Sequence, residues 1–402
     1  MVLFGFRRLL LHGSGWFVCV TNSNAAALNL LTKLLEYPSL RPWVRHKYSR
    51  MFKAFHPLQF ADFAEYRVTP NMKLAPHGIM VCTIGSLAAL CRKYSTWTHQ
   101  VFDLVIDEAG QLWDFDFLLL LSRFPKLKRC SLFGDGNQLP AYISRLLRDS
   151  TKNTGSALDV PSCSDLCKFV KKLVVQYRAV PALCRVHAPV FYPYEIRSHR
   201  EPNLTRGGPS KTLPYQGYYY CPLPRSQKGL GGQSLVQYEV DRALEIYQHI
   251  RDEKRVSPVT GKEYTICILT QYTETLRYLL QSIHAKNIQG VTISTVQTIQ
   301  GCEVDVTIYM SSRTAIRDLN LCRHRGNVAC SRAREYTVLM ATPRAVTSSC
   351  LDESDMHPLH YWGELLVEAA AFWEGDGPAA RVLTKVRRLL FFDNYDLFFL
   401  YN

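Results

Sequence analysis

The sequence predicts an α/β protein of two lobes, each a parallel sheet covered by helices. Three observations carry this. Short, almost purely apolar runs recur between helical patterns, which is how strands buried on both faces read. The alternation runs once through residues 16–133 and again through residues 240–341. Between the two, Thr154, Gly155, Ser156, Pro161 and Ser162 have a linker's composition and place the boundary near residues 155–168.

In the first lobe, Trp16–Val20 (WFVCV) is a strand and Ala25–Leu35 the helix after it. Ile79–Thr83 (IMVCT) is a second strand, followed by a helix from Ser86 to about Tyr94. Phe102–Ile106 (FDLVI) and Arg129–Phe133 (RCSLF) are further buried strands. In the second lobe, Val240–Ile250 reads as a helix, Thr265–Leu269 as a strand and Thr273–His284 as a helix. Val291–Val296 and Val304–Met310 are strands, and a helix over Val328–Ala333 leads into the strand Tyr336–Ala341. The first lobe thus covers residues 1–155 with an insertion at about 36–78, and the second covers 165–345. Residues 196–235, rich in Pro, Gly, Ser and Tyr, read as a long irregular loop. The tail, 346–402, has a helical pattern over Leu365–Phe372 and a basic helix over Arg381–Leu390. It ends in FFDNYDLFFLYN and is expected to pack on the second lobe.

Composition narrows the class. An apolar content of 47% and an aromatic content of 12% exclude a disordered chain. Lys plus Arg number 48 against 34 acids, a formal charge of +14, which favours nucleic acid over an anionic membrane as partner. A basic but merely solvated surface is the plainer alternative. The 13 cysteines are dispersed without a CxxC pair, which excludes a zinc ribbon or disulfide scaffold and predicts reduced thiols, in cytoplasm or nucleus. No uncharged apolar run reaches about 18 residues, so no membrane partner is expected. Arg7, Arg8 and His12 interrupt the apolar N-terminus and argue against a signal peptide.

Chemistry gathers at the strand ends. FDLVI runs into Asp107 and Glu108, then Ala109 and Gly110. A carboxylate pair closing an apolar strand suits a hydrated Mg²⁺ and the activation of a water, although such pairs also serve as loop starts or helix caps. RCSLF runs into GDGNQLP, residues 134–140; a turn accounts for the glycines but not for Gln138-Leu139-Pro140. Then come Gln176-Tyr177-Arg178 before Pro181, the run TVQTIQGCEVD at 295–305, and RGNVACSRAR at 325–334. An arginine brought to a triphosphate can be worth about 10³–10⁵ in rate, though each arginine alone reads as a surface residue.

In this order DEAG, GDxNQLP, QYRxxP, TVxxxQGxExD and RxNVAxSRA resemble the motifs of superfamily 1 helicases, in the branch of the up-frameshift RNA helicases and senataxin (the DNA2/NAM7 type). The resemblance runs from Val18 to Ala341. It implies two RecA-like lobes of the P-loop NTPase fold, the second of AAA_12-like type, and a monomeric hydrolase acting as an ATP-dependent 5′-to-3′ helicase or translocase on single-stranded RNA or DNA. It implies ATP and Mg²⁺ as cofactors. Asp107 would hold the metal through water and Glu108 the attacking water. Gln138, Arg178 and Arg332 would read the γ-phosphate. Gly301 and Glu303 would lie beside the nucleotide, with Tyr177 near the adenine. Two earlier stretches are similar to family motifs that line the strand path, VCVTNSNAA at 18–26 with Ser23 and Asn24, and VCTIGS at 81–86 with Thr83; Thr295 would join them. Gln297, Gly110 and Ser331 depart from the usual pattern without removing a charge.

The family's phosphate loop, GxxxxGK(S/T), does not occur in the sequence. Its strand, loop and crossover helix need on the order of 30 residues, and 15 precede Trp16. The expectation is a first lobe without its P-loop strand and impaired hydrolysis. Because Asp107, Glu108, Gln138, Arg178 and Arg332 all remain, truncation is favoured over decay into a non-catalytic nucleic-acid-binding or scaffold protein. Residues 36–56 interleave Arg41, Arg45, Lys47, Arg50 and Lys53 with Tyr37, Trp43, Tyr48, Phe52 and Phe55. That pattern suits a strand-binding surface, but a small amphipathic helical insert with aromatics in its core is the favoured reading.

Overall fold

A computed structural model gives the fold for residues 15–47, 64–69, 72–141, 156–158, 170–200, 212–224, 234–299, 302–311, 323–343, 365–366, 369–371, 381 and 383–384. The chain divides into two compact units, Met1–Lys171 and Lys172–Asn402, a few residues beyond the stretch whose composition marks a linker. Both are α/β, and their sheets are parallel. Among the described residues no helix is long and apolar enough to cross a membrane.

The first unit has strands β1 (Gly15–Thr21), β2 (Val44–Lys47), β3 (His77–Thr83), β4 (Val101–Ile106) and β5 (Arg129–Leu132), in the spatial order β2-β3-β1-β4-β5. Between them run helices α1 (Asn24–Leu35), α2 (Ile84–Lys93), α3 (Ser95–Thr98) and α4 (Asp114–Ser122). The apolar runs become strands because both faces of β1, β3 and β4 are covered. Trp16, Val18, Val20, Met80, Cys82, Leu104 and Ile106 face one core cluster, and Cys19, Ile79 and Val81 face another. Helix α1 starts where the extended Ser23 accepts a hydrogen bond from the Ala26 amide through its side chain. Its Leu28, Leu31 and Leu34, at helical spacing, pack on the second cluster.

Two expectations are corrected here. RCSL is not a buried strand: β5 is an edge, with Arg129, Cys130 and Ser131 exposed. Apolar character alone does not tell an edge from a centre. The insertion is not simply helical: after a 3-10 turn over Pro38–Trp43, residues Val44–Lys47 form the other edge, β2. There Leu40 and Val44 are core, Trp43 and Tyr37 are each 39% exposed, and Arg41 and Arg45 bond the carbonyls of Leu35 and Val44. Tyr48, Arg50, Phe52, Lys53 and Phe55 lie outside the described residues.

His46 of β2 is fully buried, and burial pushes its imidazole pKa down to about 4. An unfolded histidine takes its proton near 6.5, so His46's contribution is complete above that pH and is lost as pH falls toward 4. The loss should reach about 3 kcal/mol. Asp107 in the same unit is pushed the other way, up to about 6 by burial and then by Glu108, and offsets this loss over the same window. His46 should therefore show as a rise of the His46→Gln urea midpoint relative to the parent as pH falls from about 7 to about 4.5. An unchanged slope in the variant would assign the acid sensitivity elsewhere.

The second unit holds a six-stranded sheet in the order β10-β9-β11-β12-β8-β13. Its strands are β8 (Gly217–Pro222), β9 (Ile266–Thr270), β10 (Thr292–Thr295), β11 (Val304–Met310), β12 (Ala333–Ala341) and β13 (Ala370–Ala371). A short pair, β6 (Val175–Gln176) with β7 (Arg197–Ser198), stands apart. The helices are α5 (Pro181–Phe191), α6 (Leu235–Asp252), α7 (Thr273–Ala285) and α8 (Arg323–Cys330). Val240, Leu244, Tyr247 and Leu279 from α6 and α7 cover Ile266, Ile268, Val306, Ile308 and Val338 of the strands.

Three readings change. Residues 196–235 are not a continuous loop: GYYYCP is an interior strand, β8. Its tyrosines are buried because each hydroxyl donates to a carbonyl, Tyr218 to Cys330, Tyr219 to Tyr215 and Tyr220 to Ala341. The helix expected over Val328–Ala333 ends at Cys330, because the Arg332 carbonyl already accepts the Val304 amide as β12 joins β11. The helical pattern from Leu365 stops early, and Ala370–Ala371 pair with β8.

Candidate nucleotide and nucleic-acid site

In the first unit the expected residues gather at the C-terminal edge of the sheet, where open α/β sheets bind ligands. The Asp107 amide donates to Val20 O at 2.8 Å, continuing β4 beside β1. Glu108 follows in the left-handed region at φ 57° and ψ 39°, a conformation that costs a non-glycine residue about 1–2 kcal/mol. Strain of this kind clusters at functional sites. Burial, and then the Glu108 charge, push the Asp107 carboxyl up to about 6. Two adjacent hard oxygen donors crowded in this way fit a divalent cation, whose charge would relieve both.

The Asp135 loop closes on this turn. The Ala109 amide donates to Phe133 O at 2.8 Å, and a Cβ on Gly134 would lie 2.9 Å from the Gly110 nitrogen and 3.1 Å from that of Ala109. A glycine at 134 is thus what lets the two loops touch backbone to backbone. Gly134→Ala should push them apart, lowering the first unit's stability by about 1–3 kcal/mol in a denaturant titration. A cost below about 0.5 kcal/mol would show that the loops yield freely. Within the loop Asp135 accepts from the Asn137 amide and from Gln138 Nε2, both at 2.9 Å, which fixes Gln138.

The strand-path residues also fall on this edge. Thr21 of β1 and Thr83 of β3 are register partners, so α1 and α2 open side by side. Ser23 caps one helix and Thr83 the other, each accepting from an amide in the first turn. Asn24 Oδ1 is buried with no hydrogen-bond partner among the described residues. Paired helix N-termini present amide hydrogens and partial positive charge to a phosphate backbone.

The remaining expected residues lie in the second unit. Tyr177 is 69% exposed, with its ring 4.7 Å from that of His199. Arg178 bonds Glu303 at 3.1 Å and the Ser331 carbonyl at 3.2 Å. Glu303 also accepts from Arg334 at 2.7 Å; burial opposes its charge, but Arg334 and Arg178 hold its pKa below the ordinary value. Arg332 is 1% exposed, its Nε donating to Val328 O and its Nη2 to Ser331 Oγ. Thr295 ends β10 in a hydroxyl cluster with Thr298 and Ser294. Gly301 lies outside the described residues.

Sequence reasoning did not single out Arg200, Arg334, Asp305 or Glu335, which fix the arginine-bearing segments. Asp305 and Arg334 stand inside quoted motifs. Arg200 carries no sequence signal, being in a stretch that reads as irregular.

The first unit thus carries a strand-end carboxylate pair with a glutamine loop locked to it, and the second unit an arginine cluster, each beside a parallel sheet. Residues 160–344 match the AAA domain family AAA_12. Human 3'-5' exoribonuclease HELZ2 is 22% identical over 256 residues, covering 61% of this chain and 8% of that protein. The probable helicase with zinc finger domain of Danio rerio is 24% identical over 336 residues, covering 77% of this chain and 17% of that protein. The chain therefore spans less than a fifth of either relative. Among solved structures, the PRRSV helicase gives a TM-score of 0.41 at 15% identity over 85% of this chain and 51% of that one. In these matches the chain resembles the superfamily 1 helicases of the up-frameshift and senataxin (NAM7) type.

Proposed function

We propose that this chain is motor-core material of an ATP-dependent helicase or translocase acting on single-stranded RNA or DNA, working inside the cell as a monomer. The observation that supports it most is the lock between the Glu108 turn and the Gln138 loop at one sheet edge. Asp107 and Glu108 would hold Mg²⁺ and a water, the metal supplying charge neutralisation to the phosphates. Glu108 orients the water and takes its proton, while Gln138, Arg178 and Arg332 answer to the γ-phosphate. The Ser23 and Thr83 helix starts, with Thr295, take strand phosphates. The sequence holds no phosphate loop, so turnover by this chain alone is expected to be slow.

A second reading, strand binding or scaffolding without turnover, is favoured by one observation: Arg332 is buried and bonded within its own unit. Hydrolysis of ATP with and without single strands separates the two. Stimulation by the strand supports the motor; salt-dependent strand binding that ignores ATP and Arg332→Ala supports the clamp.

A further inference from the structure

Arg200, four residues past the end of the α5 connection at Ile196, belongs to no motif, yet the arginine cluster is built around it. Its Nη1 donates to the carbonyl of Arg178 at 2.9 Å and to that of Arg334 at 3.2 Å. Its Nη2 donates to Glu335 Oε1 at 2.6 Å. Glu335 is fully buried, and its other oxygen accepts from Gln216 at 2.6 Å. The Arg200 amide donates to Ser198 Oγ, which itself donates to the Ala179 carbonyl. The Arg334 carbonyl also accepts the Val180 amide at 2.9 Å. A closed ring results: Arg200 ties the backbones of Arg178 and Arg334, and Glu303 ties their side chains.

We propose that Arg200 is the positioning residue of this cluster, locking residues 178–180 to residues 334–335 and so setting where the Arg178 guanidinium stands. Its catalytic consequence rests on the reading that Arg178 acts on a nucleoside triphosphate. The main-chain lock does not rest on that reading. Three acceptors, two carbonyls on one nitrogen and a carboxylate on the other, suit a guanidinium fork. Without it, the Arg178 side chain is placed by the Ser331 carbonyl and by Glu303, whose side chain is 43% exposed.

The test compares the full chain with Arg200→Ala, Arg200→Lys and, as control, Arg197→Ala, an exposed arginine paired with Glu195. In native-state hydrogen exchange, the amides of residues 178–180 should exchange about tenfold faster in Arg200→Ala, while β9 and β11 and the control stay unchanged. Unchanged exchange at 178–180 overturns the proposal. Where the parent hydrolyses ATP, kcat should fall about tenfold with KM within about threefold. Faster exchange with kcat intact overturns the positioning role. A parent without strand-stimulated hydrolysis defeats the motor reading instead, and exchange alone then decides the lock. Should Arg200→Ala not fold, Arg200→Lys keeps the charge but has one nitrogen where the guanidinium uses two, so it cannot fork between Glu335 and the two carbonyls. Parental exchange in that variant overturns the fork argument.

Discussion

Replacing Asp305 by alanine should lower the stability of the second unit by about 3–5 kcal/mol. Asp305 is fully buried and accepts four hydrogen bonds: Ser257 Oγ and Thr265 Oγ1 at 2.7 Å, the Thr265 amide at 2.9 Å and Arg334 Nη1 at 3.2 Å. Removing it strands a buried hydroxyl at Ser257, an amide at the entry to β9 and part of a guanidinium that is itself 11% exposed. Unmade bonds of this kind cost about 1–3 kcal/mol each, more where a charge is involved. Asp305→Asn should recover little, although it is nearly isosteric. Every neighbour is a donor, so one of the asparagine's two positions brings a donor against donors. The measurement is a urea titration read by exchange of β9 and β11 peptides. A loss below about 1 kcal/mol for Asp305→Ala would mean that water replaces the carboxylate and that the network holds nothing.

On the motor reading proposed above, Glu108→Gln should cut strand-stimulated ATP hydrolysis by about 10²–10⁴-fold while leaving strand binding unchanged. The glutamine keeps size and position but cannot accept the proton of an attacking water. The left-handed backbone at 108 stays strained in this variant, so lost turnover is not confused with a relaxed turn. Glu108→Gly should lose turnover equally and gain about 1 kcal/mol of stability, since glycine adopts that conformation without cost. If hydrolysis persists in both variants at the parental rate, Glu108 is not the base. The carboxylate pair is then a structural turn, as its spacing alone also permits.

How much of this was visible beforehand depends on the distance over which each feature is encoded. The carboxylate pair, the glutamine loop, Arg178 of QYR and Arg332 of SRA are legible because each stands in a short motif string. The strands β1, β3, β4, β9 and β11 are legible because their side chains are apolar on both faces. Strand β8 was not, because three successive tyrosines flanked by Gly and Pro look like a loop until each hydroxyl finds a carbonyl, two of them more than a hundred residues away. Strand β5 was misjudged as buried because an edge and a centre share one composition until neighbours are assigned.

By itself the sequence determined the α/β class, the basic character and the candidate residues for the chemistry, since those depend on patterns within a few positions. Tertiary structure alone decided which of those residues are held, and by what. Arg178 is placed through Arg200, 22 residues on, and through Glu303, 125 residues on; Arg332 is turned inward by its own helix. The physical reason is that a buried guanidinium or carboxylate must find partners wherever the chain brings them, and chain separation carries no information about that meeting.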